Sequence, residues 1–254
     1  MHFLFSSRVS ATEPSAEPVA TPFPEINGGE LAAASFGVRT GGDFYDSFRA
    51  SPQRILFGLL DVAGRRQDNM HLLAVAQDIF RKCGAELFSG PDINESDAMT
   101  EVGVRLNRGL LEASKGVHSC PAFVGCYHEE FGTLCYTNAG HTPGLILDGG
   151  EVTELASTGL PLGLFSHATA EAPTVGIEKG GSLLLVSRGV VECRSRRRDC
   201  DDEYGLERVK ELLRLDKSHG AAALVASILD GAAEFSLGSA EHDDKTALAL
   251  VRSL

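Results

Sequence analysis

Hydrophobic and polar positions follow three patterns along the chain, and each predicts a kind of element. Continuous apolar runs predict buried strands: "QRILFGLLDV" (53–62) ends on an acid, Asp61, and "SLLLV" (182–186) leads into a tight Ser-Arg-Gly turn that carries Arg188. "ELAAASFGV" near the start and "KTALALVR" at the end also read as strands. Shorter strands follow one another in "PAFVGCYHEE", "GTLCYTNAG" and "GLILDGGEVTEL", with hairpin signals at Phe131-Gly132 and Asp148-Gly149-Gly150. Helical spacing places Leu72, Val75, Ala76, Ile79 and Phe80 on one face, and Met99, Val102, Leu106 and Leu110 on another. "GLERVKELLRL" and "AAALVASILDGAAEF" return to helix, and "RTGGDFYDSF" reads as a glycine turn followed by aromatics. Strands and helix pairs come in blocks rather than in strict alternation. That predicts an α+β fold with antiparallel sheet at the centre and helices outside. Residues 1–27, rich in Pro, Ser, Ala and Glu, read as a flexible arm, and 28–254 as one domain.

Composition narrows the classes. The 254 residues are 43% hydrophobic and 23% charged, which suits a soluble domain with a large core. The net charge of -12 disfavours nonspecific nucleic-acid binding, because a phosphate backbone would be repelled. No apolar run is long enough to span a bilayer, and the first residues lack the basic and apolar regions of a signal peptide. The six cysteines form no CxxC pair and read as reduced thiols in a cytoplasmic protein, with Cys126 and Cys135 as core residues on strands. GxSxG, HExxH and P-loop motifs are absent from the sequence, which argues against a metal-independent small-molecule hydrolase.

The chemistry gathers on acids at strand ends: Asp43 and Asp46 in "GGDFYD", Asp61, and Asp243 and Asp244 in "EHDDKT". Taken singly, each reads as a solvated turn residue. Three sets together read as the oxygen ligands of a hard divalent cation, since carboxylates crowd only when a cation neutralises them.

In order along 41–250, "GGDFYD", "LLDVAG", "NAGHTPGLIL", "GLPLG", "LLLVSRGVVECR", "YGLERV" and "HDDKTALAL" resemble the metal-dependent protein phosphatases of the PPM (type 2C) superfamily, in particular the bacterial SpoIIE-like serine phosphatases of partner-switching control. The resemblance implies a four-layer α-β-β-α sandwich with two central antiparallel sheets. It implies a phosphoserine or phosphothreonine protein phosphatase with one or two Mn²⁺ or Mg²⁺ ions, ~3.5–4 Å apart where both are bound, activating water. The partner would be a phosphoprotein or a regulatory protein such as an anti-sigma-antagonist-like protein, with no nucleic acid and no membrane insertion. Carried over by position, Asp43, Asp61 and Asp243 are metal ligands and catalytic residues, with the carbonyl of Val62 beside Asp61. Asp46, Asp244 and Gly189 are secondary members. "NAGH" (Asn138, Gly140, His141) shapes a turn, with His141 as ligand or acid the alternative.

The sequence departs from the family at one decisive place. The usual Thr-Asp-Gly, whose aspartate binds metal, is replaced by Ser187-Arg188-Gly189. A guanidinium does not deprotonate, and ~4 Å from a dication its repulsion is on the order of several kcal/mol even at an effective dielectric near 20. One metal site should be weakened or lost. Arg188 then either stands where a cation stood, paired with Asp61 or Asp243, or points into the cleft and holds a phosphate bidentately while the remaining metal activates water, with Arg39 and Arg65 as further phosphate-binding candidates. These alternatives correspond to a non-hydrolysing pseudophosphatase that binds a partner and to a phosphatase with impaired metal binding. "RSRRRDCDDE" (194–203) reads as a mixed-charge loop, partner-facing or mobile.

Overall fold

The computed structural model describes residues 17–36, 42–62, 66–114, 119–167, 171–195, 202–216, 220–236 and 243–254. Arg39 and Arg65, and residues 196–201 of the mixed-charge run 194–203, lie outside the described residues.

The chain forms β1 (Gly29–Phe36), β2 (Gly42–Ser51), β3 (Arg54–Val62), α1 (Arg66–Leu87), α2 (Glu95–Ala113), β4 (Ala122–His128), β5 (Thr133–Ala139), β6 (Gly144–Asp148), β7 (Glu151–Leu155), β8 (Thr174–Gly176), β9 (Ser182–Val186), α3 (Arg188–Val191), α4 (Gly205–Leu215), α5 (Ala221–Phe235) and β10 (Lys245–Arg252). Two antiparallel sheets result, in the orders β1-β10-β9-β6-β7 and β2-β3-β4-β5-β8. The pairings are antiparallel throughout because the connections are hairpins or helix pairs rather than single crossover helices.

Three apolar layers show why four layers stack. Alternate residues of the strands face opposite sides, so each sheet offers two apolar faces. Ile55, Phe57 and Leu59 of β3 meet Leu183, Leu185, Leu248 and Leu250 between the sheets. Leu56 and Leu60, on the other face of β3, pack under Leu73, Phe80, Met99 and Leu106 of α1 and α2. Leu184, Val186, Ala247 and Ala249 pack under Val209, Leu224 and Ile228 of α4 and α5. This is the expected α-β-β-α sandwich. β3 is buried along its whole length, as its unbroken apolar run requires.

Three local differences from the sequence reading have clear causes. "GDFYDSFRAS" is a strand, because its alternation of Phe44, Asp46 and Phe48 with Asp43, Tyr45 and Ser47 matches a two-residue period. The turn after β9 closes into one helical turn, α3. The three residues of β8, held to β5, are too short to show a period. Both hairpin signals are realised, with Gly132 at φ 67° and Gly149 and Gly150 at 56° and 88°. Among the described residues five cysteines are free, and Cys126 and Cys135 face one another across β4 and β5 in the core. No helix of the described residues is long and apolar enough to cross a membrane.

Of the expected flexible arm, residues 17–27 are described, and they lie against β2, α1 and the β4–β5 turn. Val19 exchanges two backbone hydrogen bonds with the Gln77 amide, at 2.7 Å each, and Asn27 donates to Glu129.

Candidate functional site

The site lies at one end of the sandwich, where the start of β2, the end of β3, the end of β9 and the start of β10 meet. Register does the positioning. Asp43 and Asp61 are direct cross-strand partners, and Gly42 faces Val62. A Cβ on Gly42 would lie 2.1 Å from the Val62 carbonyl oxygen, so only glycine allows this approach. Asp43 and Asp61 are buried, at 5% and 4% exposure.

The second sheet brings its half through Ser187. Its N–H donates to the Thr246 carbonyl at 2.9 Å, its hydroxyl donates to the Asp244 carbonyl at 3.2 Å, and the Thr246 N–H donates back to that hydroxyl at 3.0 Å. This zipper fastens α3 against the strand start that carries Asp243. Gly189 is required there, because a Cβ would sit 2.0 Å from the Asp244 carbonyl oxygen.

Arg188 then reaches across the sheets. Its N–H donates to Asp61 Oδ2 at 3.1 Å, and Nη2 lies 3.7 Å from Asp61 Oδ1 and 3.4 Å from Asp243 Oδ2. Nε lies 3.8 Å from Glu192 Oε2. Both carboxyl oxygens of Asp61 therefore face donors of a single residue. The side chain of Arg188 is 43% exposed.

The electrostatics follow from burial and crowding. Burial, and after it the neighbouring Asp61, raise the Asp43 pKa to about 8, against hydrogen bonds from Ser187 and Thr246. Burial and the neighbouring acids thus favour the protonated form of Asp43. Its proton is held by the fold and released by the unfolded chain between pH ~4 and ~8, so this group's contribution to stability falls as pH rises through that window. Burial likewise raises Asp61, while the Arg188 guanidinium opposes it.

The remaining predicted residues divide. Asp46 does not join the cluster: the strand period turns it to the other face of β2, where Arg81 Nε and Nη2 both bind it at 2.7 Å. The Asp244 side chain is buried beside Asp243, whose Oδ1 accepts its N–H at 3.0 Å. In "NAGH", Asn138 caps the turn, accepting the His141 N–H at 2.8 Å and donating to the Thr142 and Leu155 carbonyls, and the Thr142 hydroxyl donates to the Val186 carbonyl. The segment braces the end of β9, as its structural reading requires. Ser187 and Thr246 went unread as site residues; a hydroxyl beside a strand end is too common to signal its acceptor.

His141 is buried, and burial lowers its pKa to about 4. The unfolded chain takes up a proton near pH 6.5 and the folded chain does not. Stability from neutral His141 is therefore present above pH 6.5 and lost as pH falls towards 4. The gap corresponds to roughly 3 kcal/mol. Urea unfolding at pH 7 and pH 4.5 should show a larger loss on acidification for the native chain than for His141→Gln; equal losses would refute a neutral buried ring.

Whether this donor set suits a metal can be judged from its geometry. Among the described residues, no group of three or more His, Cys, Asp or Glu side chains is arranged to hold a metal ion. Asp61 and Asp243 are turned to a guanidinium that carries the compensating charge. The residues as arranged do not fit a binuclear Mn²⁺ or Mg²⁺ centre.

Comparison with known proteins decides the family. The model of Stage II sporulation protein E (SpoIIE) matches residues 51–253, a stretch that includes Asp61, Arg188 and Asp243. The chain belongs to the SpoIIE family. Protein IcfG of Synechocystis is 25% identical over 233 residues, covering 84% of this chain and 36% of IcfG. The SiaA-PP2C domain of Pseudomonas aeruginosa has the same fold, with a TM-score of 0.74, 16% identity and coverage of 87% of this chain and 85% of that one. The RsbU and RsbW domains of Rv1364c from Mycobacterium tuberculosis superpose with a TM-score of 0.70 at 20% identity, covering 94% and 63%. The catalytic domain of the serine/threonine phosphatase PstP, solved with two manganese ions, gives 0.58 at 16% identity, covering 89% and 99%. The chain thus spans about a third of IcfG and under two thirds of the Rv1364c structure. The family is SpoIIE, and the fold is the one these phosphatase-domain structures share.

Proposed function

We propose that this SpoIIE-family domain is a pseudophosphatase: a regulatory module of phosphoprotein signalling that binds a protein partner through the phosphatase fold and does not hydrolyse phosphate by a metal route. One observation carries the reading. The Arg188 guanidinium lies within 4 Å of both Asp61 and Asp243 and supplies the charge that a cation would supply. An arginine and a divalent cation cannot share these two acids without the repulsion that favours whichever is tethered.

The same geometry argues against phosphate capture at Arg188. Asp61, Asp243 and Glu192 all surround the guanidinium, so an incoming phosphate would meet uncompensated negative charge. Partner binding would then use the surface of the fold. An anti-sigma-antagonist-like protein is the natural partner class, given the resemblance of the ordered motifs to the phosphatases of partner-switching control. Residual hydrolysis is the second reading. The retained Asp43, Asp61 and Asp243 favour it, as does an Arg188 that is 43% exposed and held at 3.4–3.8 Å rather than at close range.

Incubating the purified chain with a phosphoserine form of an anti-sigma-antagonist-like protein and millimolar Mn²⁺ or Mg²⁺ separates the two. The expected result is calorimetric binding of the partner with or without metal and no phosphate release. Metal-dependent release that disappears in Asp61→Asn would overturn the proposal in favour of the enzyme.

A further inference from the structure

Asp46 is the acid that left the cluster, and its surroundings are more elaborate than a strand residue needs. It accepts from Arg81 Nε and Nη2, from Gln77 Nε2 at 3.1 Å, from its neighbour Ser47 N–H at 2.9 Å, and from the Thr21 hydroxyl at 2.9 Å. Arg81 Nη2 also donates to Thr21 at 2.7 Å and to the Ser47 carbonyl at 3.2 Å. Gln77 meanwhile holds the backbone of Val19 from both sides. A seat made from β2 and α1 thus grips residues 19–21.

The two sides of this contact differ in kind. The seat is buried: Asp46 is 5% and Gln77 7% exposed. The segment it grips is not, for Val19 is 57% exposed and none of residues 17–27 is fully buried. If the segment left, Asp46 would keep Arg81, Gln77 and the Ser47 N–H, and Arg81 would keep Asp46 and the Ser47 carbonyl. No buried charge would be stranded, which is the condition for a contact that can open. Further along, the chain is tied more firmly. Asn27 binds both oxygens of Glu129, at 2.8 and 3.2 Å, and Arg49 binds Glu129 and the Glu25 carbonyl. Phe23, at the hinge side of the gripped segment, stacks on Tyr45 with ring centres 6.0 Å apart and is the apolar contact that opening would break. Residues 25–27 make a hinge and 19–21 a catch.

Under the segment lies a cleft of about 210 Å³, lined by Pro18, Thr21, Phe23, Ser35, Asp43 and Tyr45 among others. Its floor is continuous with the site, since the Ser35 hydroxyl lies 3.0 Å from that of Thr246, which hydrogen-bonds Asp43. We propose that residues 17–24 are a strap that closes the approach to Asp43 from the β2 edge, and that Asp46, with Gln77 and Arg81, is its latch. The chain before residue 17 is joined directly to the strap, so a partner acting there would reach the site through it. The device is independent of whether the site hydrolyses phosphate.

Carboxyl footprinting of the full chain with carbodiimide and glycine ethyl ester tests this. In Thr21→Val/Gln77→Leu, labelling of Asp43 should rise at least fivefold over the native chain, with hydrogen exchange of β9 and β10 unchanged. Unchanged Asp43 labelling would overturn the proposal. So would an equal rise in exchange throughout the molecule, since that marks general loosening. Thr21→Val alone, which touches only the half-exposed strap side, should give a smaller rise in the same place; no rise there, with faster exchange elsewhere, also counts against it.

Discussion

Arg188→Asp should bind Mn²⁺ at least 100-fold more tightly than the native chain, a change of about 2.7 kcal/mol. The substitution removes a positive charge that sits 3.4 Å from Asp243 and 3.7 Å from Asp61, and puts a carboxylate in the same turn. Both effects favour a dication, and each unit charge ~4 Å away is worth several kcal/mol at an effective dielectric near 20. With the guanidinium gone, four carboxyls would crowd one end of the sandwich, and burial already holds Asp43 protonated to about pH 8. The metal-free variant should therefore melt below the native chain and recover on adding Mn²⁺, as any ligand that binds only the folded state restores stability. Isothermal titration calorimetry and thermal melting check both parts. Arg188→Gln, which removes charge without adding a ligand, should fall between. If Arg188→Asp leaves metal affinity where it was, the guanidinium is not what keeps cations out.

Gly189→Ala should cost about 3 kcal/mol or more of stability. The new Cβ would stand 2.0 Å from the Asp244 carbonyl oxygen and 3.3 Å from the Asp243 Cβ. Backbone on one side and a strand start on the other leave no flexible group to yield, which places the change at the severe end of overpacking. Relief requires α3 to move off β10, breaking the Ser187–Asp244 hydrogen bond and parting Arg188 from Asp243. Urea denaturation gives the magnitude. A loss under about 1 kcal/mol would mean that α3 is not clamped as described.

These two positions show how far the residues alone could be read. The apolar runs of β3, β9 and β10 predict strands buried on both faces, and those strands form the centre of the sandwich. Helix spacing predicts the inward faces of α1 and α2: Leu72, Ala76 and Phe80, and Met99, Val102, Leu106 and Leu110, are buried, while Val75 and Ile79 are half-buried. The ordered motifs identified the family. Asp46 was the misleading residue. It lies three positions from Asp43, in one glycine-led motif, and a motif read as a string does not say that an odd spacing on a strand sends two acids to opposite faces. The strap was equally hidden: Pro, Ser, Ala and Glu look like an arm, and its partners Gln77 and Arg81 are about sixty residues away.

What the sequence determined by itself was most of the elements (β2, α3 and β8 excepted), their apolar faces and the exchange of an aspartate for Arg188, because periodicity and residue chemistry are local properties. Only the tertiary structure decided where Arg188 points and which acids share its charge. Those facts depend on two sheets stacking so that the ends of β3 and β9 and the start of β10 meet, and contacts between segments more than fifty residues apart leave no period in the chain.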